Sequence, residues 1–397
     1  MDSNGCRRRL EDELRGMRAD GTYKRLRALT SATGPTATVA GLGEVVVLCS
    51  NDYLGLAAHP DVVRGGVAAL ERYGAGTASV RFISGTMAIH RDLEERLAAW
   101  VGTEAALTFV SCWNANEGLI PTLVGAGDAV FSDALNHASI IDACRLSRAE
   151  RVLYAHSDMA DLEAKLAARR GARTRLVVTD GVFSMEGDLA RLPEILALAE
   201  RYDALVAVDD SHGVGVMGRT GRGTAEYFGV LGRVDVITGT LGKALGGAAG
   251  GFVAAPAAVI DYLTQRSRPQ LFSNGLAPAV AGSAAAALQV LEREPWRVAR
   301  LHENARALRA GLGARGLRPL PGESAIVPVL VGATADAIAW SERLSADGVY
   351  VVGFGYPVVP EGAARLRVQP SAAHTPQHLA RALAAFARLG PVAGGGR

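Results

Sequence analysis

Several features that announce a specialised protein class are scarce here. The 397 residues include only four cysteines, Cys6, Cys49, Cys112 and Cys144, with no CxxC pair among them. That excludes a disulfide scaffold and argues against a zinc ribbon or a thioredoxin-type motif, so no metal site is expected. Four free thiols fit a reducing, cytoplasmic setting. Charge of one sign is also missing. Lys plus Arg number 42 and Asp plus Glu 40, a net charge of +2. So weak a field does not point to nucleic acid or an acidic membrane as partner. No long uninterrupted apolar run occurs: Leu241 to Ile260 holds Lys243 and five glycines, a poor membrane span. The segment Met1 to Arg18 is charged and lacks the apolar core of a secretory signal. There is no internal repeat, and the only low-complexity piece is the tail Gly394 to Gly396.

What remains is the balance of a globular protein, 49% hydrophobic and 21% charged. The length suggests two or three lobes. Forty-seven glycines imply tight turns or close approaches to the backbone.

The apolar pattern predicts a charged helical lead-in over Arg7 to Arg27, a strand at Val45 to Cys49 and a helix from Pro60 to Tyr73. From Ala105 to Ala255 short apolar runs alternate with segments of helical period. Leu93, Leu97 and Trp100 already mark such a face. This alternation argues for an α/β fold, a mostly parallel sheet covered by helices. Such sheets bind ligands at the carboxyl ends of their strands. After Pro278 the pattern changes to two long helices, then strands at Ile326 to Leu330, Val349 to Phe354 and Leu366 to Val368. A last helix has Thr375 as N-cap, Pro376 at N1 and Gly390 past its end. The expected division is a lead-in over 1–45, a large domain over 46–290 and a smaller α+β domain over 291–397.

Three motif-like stretches fail on context. Gly213, Gly215 and Gly218 match GxGxxG, but Arg219 to Gly223 cannot continue a helix well, so a dinucleotide site is rejected. Gly242-Lys243 resembles the end of a phosphate loop, yet Ile237 and Ala244 stand where glycine and a hydroxyl residue are required. Ser184 is not in a GxSxG elbow.

Chemistry gathers elsewhere. Asp209-Asp210-Ser211-His212 sets two carboxylates and an imidazole at a strand's carboxyl end, and Lys243 follows the next strand, flanked by Gly242, Gly246 and Gly247. An isolated loop lysine is ordinarily solvated. One desolvated among glycines loses proton affinity and becomes a nucleophile toward an aldehyde. A Schiff-base lysine with pyridoxal phosphate needs a carboxylate that keeps the ring nitrogen protonated, and Asp209 is the candidate. Ser111-Cys112-Trp113 leads from a strand into a helix, where backbone N–H groups can hold a phosphate. His137 follows another strand. A lone histidine is usually structural, but its ring could lie on the pyridine face.

Together these residues identify a resemblance. The chain resembles the α-oxoamine synthase family of fold-type I pyridoxal-phosphate enzymes, above all its branch that joins glycine to acetyl-CoA. The stretches carrying it are Cys49 to Leu56, Ala78 to Thr86, Ser132 to Ile141, Thr179 to Gly187, Val208 to Gly213, Thr238 to Gly247, Arg266 to Pro269 and Ser371 to His374. The resemblance implies a large pyridoxal-phosphate domain with a smaller C-terminal domain. It implies that Lys243 holds the cofactor and moves the α-proton. Asp209 pairs with the ring nitrogen, His212 bonds the phenolic oxygen and His137 stacks on the ring. Ser111, Cys112 and Trp113 bind phosphate, and Ser184 and Thr240 touch the phenolic and phosphate regions. Arg367, assisted by Asn51, clamps the amino-acid carboxylate. It also implies a homodimer, with Ser273 and Asn274 reaching the partner's phosphate. The implied reaction is condensation of glycine with acetyl-CoA to 2-amino-3-oxobutyrate and CoA, or its reverse. Two alternatives stay open: the same chemistry on another small amino acid or acyl-CoA, and a non-catalytic paralogue. Met87-Ala88 replaces a polar pair usual in that branch, and Gly275 stands where serine is common.

Overall fold

Runs of apolar residues bounded by glycine, proline and Asx turns fold into thirteen strands among the described residues, which are 3–389 of this computed structural model. The glycines at 390 and at Gly394 to Gly396 lie outside them. In chain order the strands are β1 (Thr36–Val39), β2 (Gly43–Val47), β3 (Ala105–Phe109), β4 (Ala129–Asp133), β5 (Glu150–Tyr154), β6 (Arg175–Asp180), β7 (Leu205–Asp209), β8 (Val236–Thr240), β9 (Gly251–Ala255), β10 (Val327–Gly332), β11 (Val349–Tyr350), β12 (Gly353–Phe354) and β13 (Ala364–Val368). The chain divides into two compact units, Met1–Ser50 with His302–Arg397, and Asn51–Leu301.

In the first unit the lead-in is not a separate piece. The charged helix Ser3–Ala19 stops well short of Arg27. β1 and β2 form an antiparallel hairpin, and β2 continues in parallel with β11, Val349 opposite Val46. Pairing across three hundred residues leaves no local mark in the sequence. The strand expected over Val349 to Phe354 is broken in two. β11 joins the hairpin, while β12 pairs with β13 in the second small sheet. At the break the backbone presses on the helix Thr334–Ala346: a Cβ on Gly353 would lie 2.4 Å from the Ala337 carbonyl oxygen. That helix was not anticipated. Leu308, Leu312, Val327, Val329, Leu366 and Phe386 are in this unit's core. The last helix, Pro376–Ala387, is capped by Thr375 as its sequence predicts.

The second unit holds the seven-stranded sheet, in the order β3-β9-β8-β7-β6-β4-β5. β4 to β8 run parallel, and β9 is antiparallel to both neighbours. Every residue of β4, β6 and β9 is buried, as a sheet covered on both faces requires. The expected helices after β3 to β6 are found at Cys112–Leu123, Ala138–Leu146, Met159–Ala167 and Leu192–Tyr202. Register sets Asp180 beside Asp209 and Asp209 beside Thr238, so the ends of β6 and β7 and the middle of β8 bring three polar residues side by side.

Two features fix the flanks of this unit. Arg81, at the start of the π-helical turn Arg81–Gly85, forms a buried bidentate pair with Glu94 at 2.7 and 3.1 Å and also bonds Thr108. The helices Pro60–Tyr73 and Pro278–Arg293 touch at their backbones through Gly65 and Gly282. A Cβ at Gly282 would lie 2.5 Å from the Gly65 carbonyl oxygen and 2.6 Å from Ala69 Cβ. Gly282→Ala is therefore expected to destabilise the protein by about 1–3 kcal/mol, despite alanine's better helix propensity. Gly16→Ala, with nothing within 4 Å of its Cβ, is expected to be neutral or stabilising. Urea midpoints of the two variants measure this, and equal effects would remove the close-contact explanation.

Candidate active site

The site is built where β6, β7 and β8 end. Asp209, the last residue of β7, is buried. Its Oδ2 accepts from Asn116 Nδ2 at 2.7 Å and its Oδ1 from the Ser211 backbone N–H at 3.0 Å. Cys112 Sγ lies 3.7–3.8 Å from both oxygens and accepts from Ser211 Oγ at 3.2 Å. Burial, then the charge of Asp209, pushes the Cys112 thiol well above its ordinary range, so it faces the carboxylate as S–H.

Lys243 follows β8 in a glycine-rich turn. Its Nζ is 2.9 Å from His212 Nε2, and His212 Nδ1 is 2.8 Å from the buried Tyr53 hydroxyl. Amine, imidazole and phenol thus form one line. Asp180, beside Asp209, is raised well above the carboxylate range, by burial first and the Asp209 charge second. Its carboxylate accepts the His137 backbone N–H at 2.6 Å. His137 caps the helix Ala138–Leu146, with Nδ1 2.8 Å from Ser139 Oγ and its ring edge-on to Trp113.

Ser111 caps the helix Cys112–Leu123 through the Asn114 N–H. The start of β9 lies close against this helix end: a Cβ on Gly251 would sit 2.3 Å from Cys112 N. Thr240 Oγ1 donates to the carbonyl of Gly250, the residue before β9, 3.1 Å away. Lysine amine, buried carboxylate, imidazole and helix N-terminus are the donor set an aldehyde, a pyridinium nitrogen, a phenolic oxygen and a phosphate require, so these residues fit pyridoxal phosphate.

The remaining expected residues are less tightly linked. Ser184 sits in a turn closed by the Val182–Leu189 bridge. Ser273 ends the short helix Arg268–Phe272, and Asn274 bridges to Val80. Asn51 opens the second unit and is half-buried. Arg367 belongs to the first unit, on β13 opposite Pro328, with its guanidinium 5.2 Å from the centre of the Phe354 ring. The GxGxxG-like glycines open no helix. Gly213 packs on a second buried carboxylate, where its Cβ would lie 1.9 Å from Asp210 Oδ1, while a Cβ on Gly215 would lie 2.6 Å from Ala244 Cβ and one on Gly218 2.2 Å from Glu226 Oε2. Burial raises Asp210 to about 7.

The two departures prove to be neighbours. Met87 cannot cap the helix Ala88–Val101 with a side-chain oxygen, and its N–H bonds His90 Nδ1 at 3.0 Å instead. His90 Nε2 donates to the Leu276 carbonyl at 2.7 Å. Next to Leu276, a Cβ on Gly275 would lie 2.7 Å from the Gly85 carbonyl oxygen, which excludes a serine in this packing.

Sequence reasoning missed Asn116, Asp180 and Ser139 as site residues. Asn116 lies among buried Ala115, Leu119 and Ile120 on its helix, and a polar residue on such a face was the available signal. It also missed His156, whose nitrogens lie 2.9 Å from Asp133 and from Asp188, the latter in the turn that carries Ser184.

The aminotransferase class I and II family matches residues 43–386. A 2-amino-3-ketobutyrate coenzyme A ligase of Escherichia coli K12 is 51% identical over 383 residues, 96% of each chain. An 8-amino-7-oxononanoate synthase of Geobacter sulfurreducens is 50% identical over 385 residues, 96% of this chain and 98% of its own. Among solved structures, a serine palmitoyltransferase from S. paucimobilis with bound PLP-myriocin aldimine superposes with a TM-score of 0.92 at 33% identity, covering 98% of both chains.

Burial disfavours a charged His156, but its bonds to Asp133 and Asp188 outweigh this and raise it from 6.5 to about 10. A value raised on folding gives stability that is complete below about pH 6.5 and lost as pH climbs through 10. His156→Gln is expected to cost about 1.5–3 kcal/mol at pH 6, with the gap to the parent closing by pH 10. Urea unfolding across that range checks this, and a gap independent of pH would contradict it.

Proposed function

The chain belongs to the aminotransferase class I and II family, and from that premise we propose that it is a pyridoxal-phosphate-dependent acyltransferase joining glycine to the acetyl group of acetyl-CoA. The products are 2-amino-3-oxobutyrate and CoA, and the reverse cleavage uses the same groups. The observation that carries this reading is the line Lys243–His212–Tyr53 beside the buried, donor-held Asp209, in a chain half identical to a 2-amino-3-ketobutyrate coenzyme A ligase. When bound, pyridoxal phosphate supplies an aldehyde for an amine and a ring that draws off the electrons released at the α-carbon.

The residues then have defined tasks. Lys243 would hold the aldehyde of the cofactor through its amine and would move the α-proton of the amino acid. His212 holds the lysine amine and faces the phenolic oxygen, with its own orientation set by Tyr53. Asp209 keeps the ring nitrogen protonated. His137 covers the ring face. The N–H groups at Ser111, Cys112 and Trp113 hold the phosphate, with Thr240 beside them and Ser184 on the phenolic side. Arg367 and Asn51 take the amino-acid carboxylate. Ser273 and Asn274 serve the partner's phosphate in a homodimer. Phe82, Ile83 and Phe272, all more than 60% exposed, flank the Val80–Asn274 bridge and support that assembly. The proposed setting is the cytoplasm, which four free cysteines support. No described helix is long and apolar enough to cross a membrane.

A second reading keeps the chemistry and changes the substrates. The oxononanoate synthase at 50% identity favours it.

Thiol release from acetyl-CoA in the presence of glycine is expected to be fast, and Lys243→Ala is expected to abolish it while the protein stays folded. Release by Lys243→Ala would overturn the mechanism. Release only with alanine or longer acyl-CoAs would select the second reading. Arg367→Ala is expected to raise the glycine KM about tenfold or more with little change in the acetyl-CoA KM. Equal effects on both would remove Arg367 from the carboxylate.

A further inference from the structure

Asn116 is 1% exposed and turns all its side-chain hydrogen-bonding atoms inward. Nδ2 donates to Asp209 Oδ2 at 2.7 Å and to Ser139 Oγ at 2.9 Å, while Oδ1 accepts from Thr238 Oγ1 at 2.9 Å. The amide cannot turn over without setting its oxygen against the carboxylate. This fixes the direction of every bond beyond it. Ser139 Oγ already accepts an amide hydrogen, so its own hydrogen is left for His137 Nδ1, 2.8 Å away. The Ser139 backbone N–H points at the same nitrogen, 3.3 Å away. Nδ1 is therefore an acceptor, and the neutral ring carries its proton on Nε2.

We propose that Asn116 is a positioning residue for the transferase reaction: its one carboxamide fixes the rotamer of Asp209 and, through Ser139, the tautomer and ring plane of His137. The two groups assigned to the cofactor ring, one at its nitrogen and one on its face, are thus set as a unit. This rests on the roles given to Asp209 and His137 above. It goes further by assigning a residue that touches neither cofactor nor substrate. The arrangement has a physical logic. A buried carboxylate with too few donors takes up a proton or rotates, and an imidazole free to change tautomer offers its neighbour a different atom.

The test uses two readouts. In the holoenzyme, the pH dependence of the cofactor's visible absorbance and the steady-state kinetics are measured for Asn116→Ala, Ser139→Ala and Thr238→Val. In the apoprotein, histidine ¹⁵N shifts report the His137 tautomer without any cofactor. Asn116→Ala is expected to move the absorbance midpoint by about one pH unit and to lower kcat about 10- to 100-fold, with less change in the glycine KM. Ser139→Ala is expected to leave the midpoint in place while releasing the His137 tautomer. If Asn116→Ala fails to fold, Thr238→Val, which loosens the amide without removing it, is expected to give both effects in weaker form. Folded variants with parental midpoints and parental His137 shifts would overturn the proposal. Failure of the functional reading looks different: the parent would show no cofactor absorbance dependent on Lys243, while the apoprotein shifts still report on the amide.

Discussion

Two carboxylates side by side in a dry interior cannot both keep their charge cheaply, and the placing of Asp180 next to Asp209 is the constraint on which this site depends. The sheet register imposes the pair. Asp180 is pushed well above the carboxylate range and has the His137 N–H on one oxygen. Asp209 is met instead by the Asn116 amide, the Ser211 N–H and a cysteine held as a thiol. The lysine one strand away contributes the compensating charge, which acts on Asp180 and Cys112 alike. The helix Cys112–Leu123 therefore has two tasks. Its first turn sets the Cys112 thiol against the carboxylate, and its next turn supplies the Asn116 amide that holds it.

A similar economy explains much of the glycine content. Around Asp210, Gly181, Gly213 and Gly223 all lie where a Cβ would strike the carboxylate, the nearest approaches being 2.3, 1.9 and 2.0 Å. The Thr224 N–H enters the space they leave and bonds Oδ2 at 2.8 Å. Asp210 is buried and raised to about 7, so the loop is closed around a group that loses its charge as pH falls through that value. The first glycine of the stretch that imitates a dinucleotide fingerprint thus helps to wrap an acid, and the third, Gly218, lies against another, Glu226. The residues after the glycines make the distinction, because Arg219 to Gly223 form turns where a dinucleotide site would need a helix.

The legible part of the molecule is the part in which chemistry is written along the chain. Strand-then-polar-cluster patterns located Asp209, His212, Lys243 and His137, because a parallel sheet delivers all its strand ends to one edge. The sheet's alternation was legible for the same reason. What escaped depends on contacts between distant segments. Asn116 shows in the sequence only as a polar residue on an apolar helix face, and its partners on β7 and β8 emerge with the fold. β11 and β12 look like one apolar run, and only the partners, β2 for one and β13 for the other, separate them. Gly275 looks like the loss of a serine until the Gly85 carbonyl is seen to occupy the space a Cβ would need. His156 has no signal at all, since its two aspartates stand 23 and 32 residues away.

The interlocked network also bears on substrate choice. Asn116, Asp209, Thr238 and Ser139 each rely on another member for a buried hydrogen bond, so replacing one leaves its neighbours unsatisfied in a dry interior, and His137 is joined to them through Ser139. Such a set is difficult to alter piecemeal. Relatives of nearly equal identity to this chain carry the names of different products, 2-amino-3-ketobutyrate and 8-amino-7-oxononanoate. A discriminator between substrates is therefore better placed in segments that can change together without touching the network. The Met87–His90 turn and Gly275–Leu276 have that property. They are joined to one another by His90, and they accommodate each other sterically and by hydrogen bonding. The bonds His90 makes run to Met87 and Leu276, away from Asp209, His137 and Lys243. Shared chemistry with divergent substrates is what a rigid polar centre with an independently packed margin would produce.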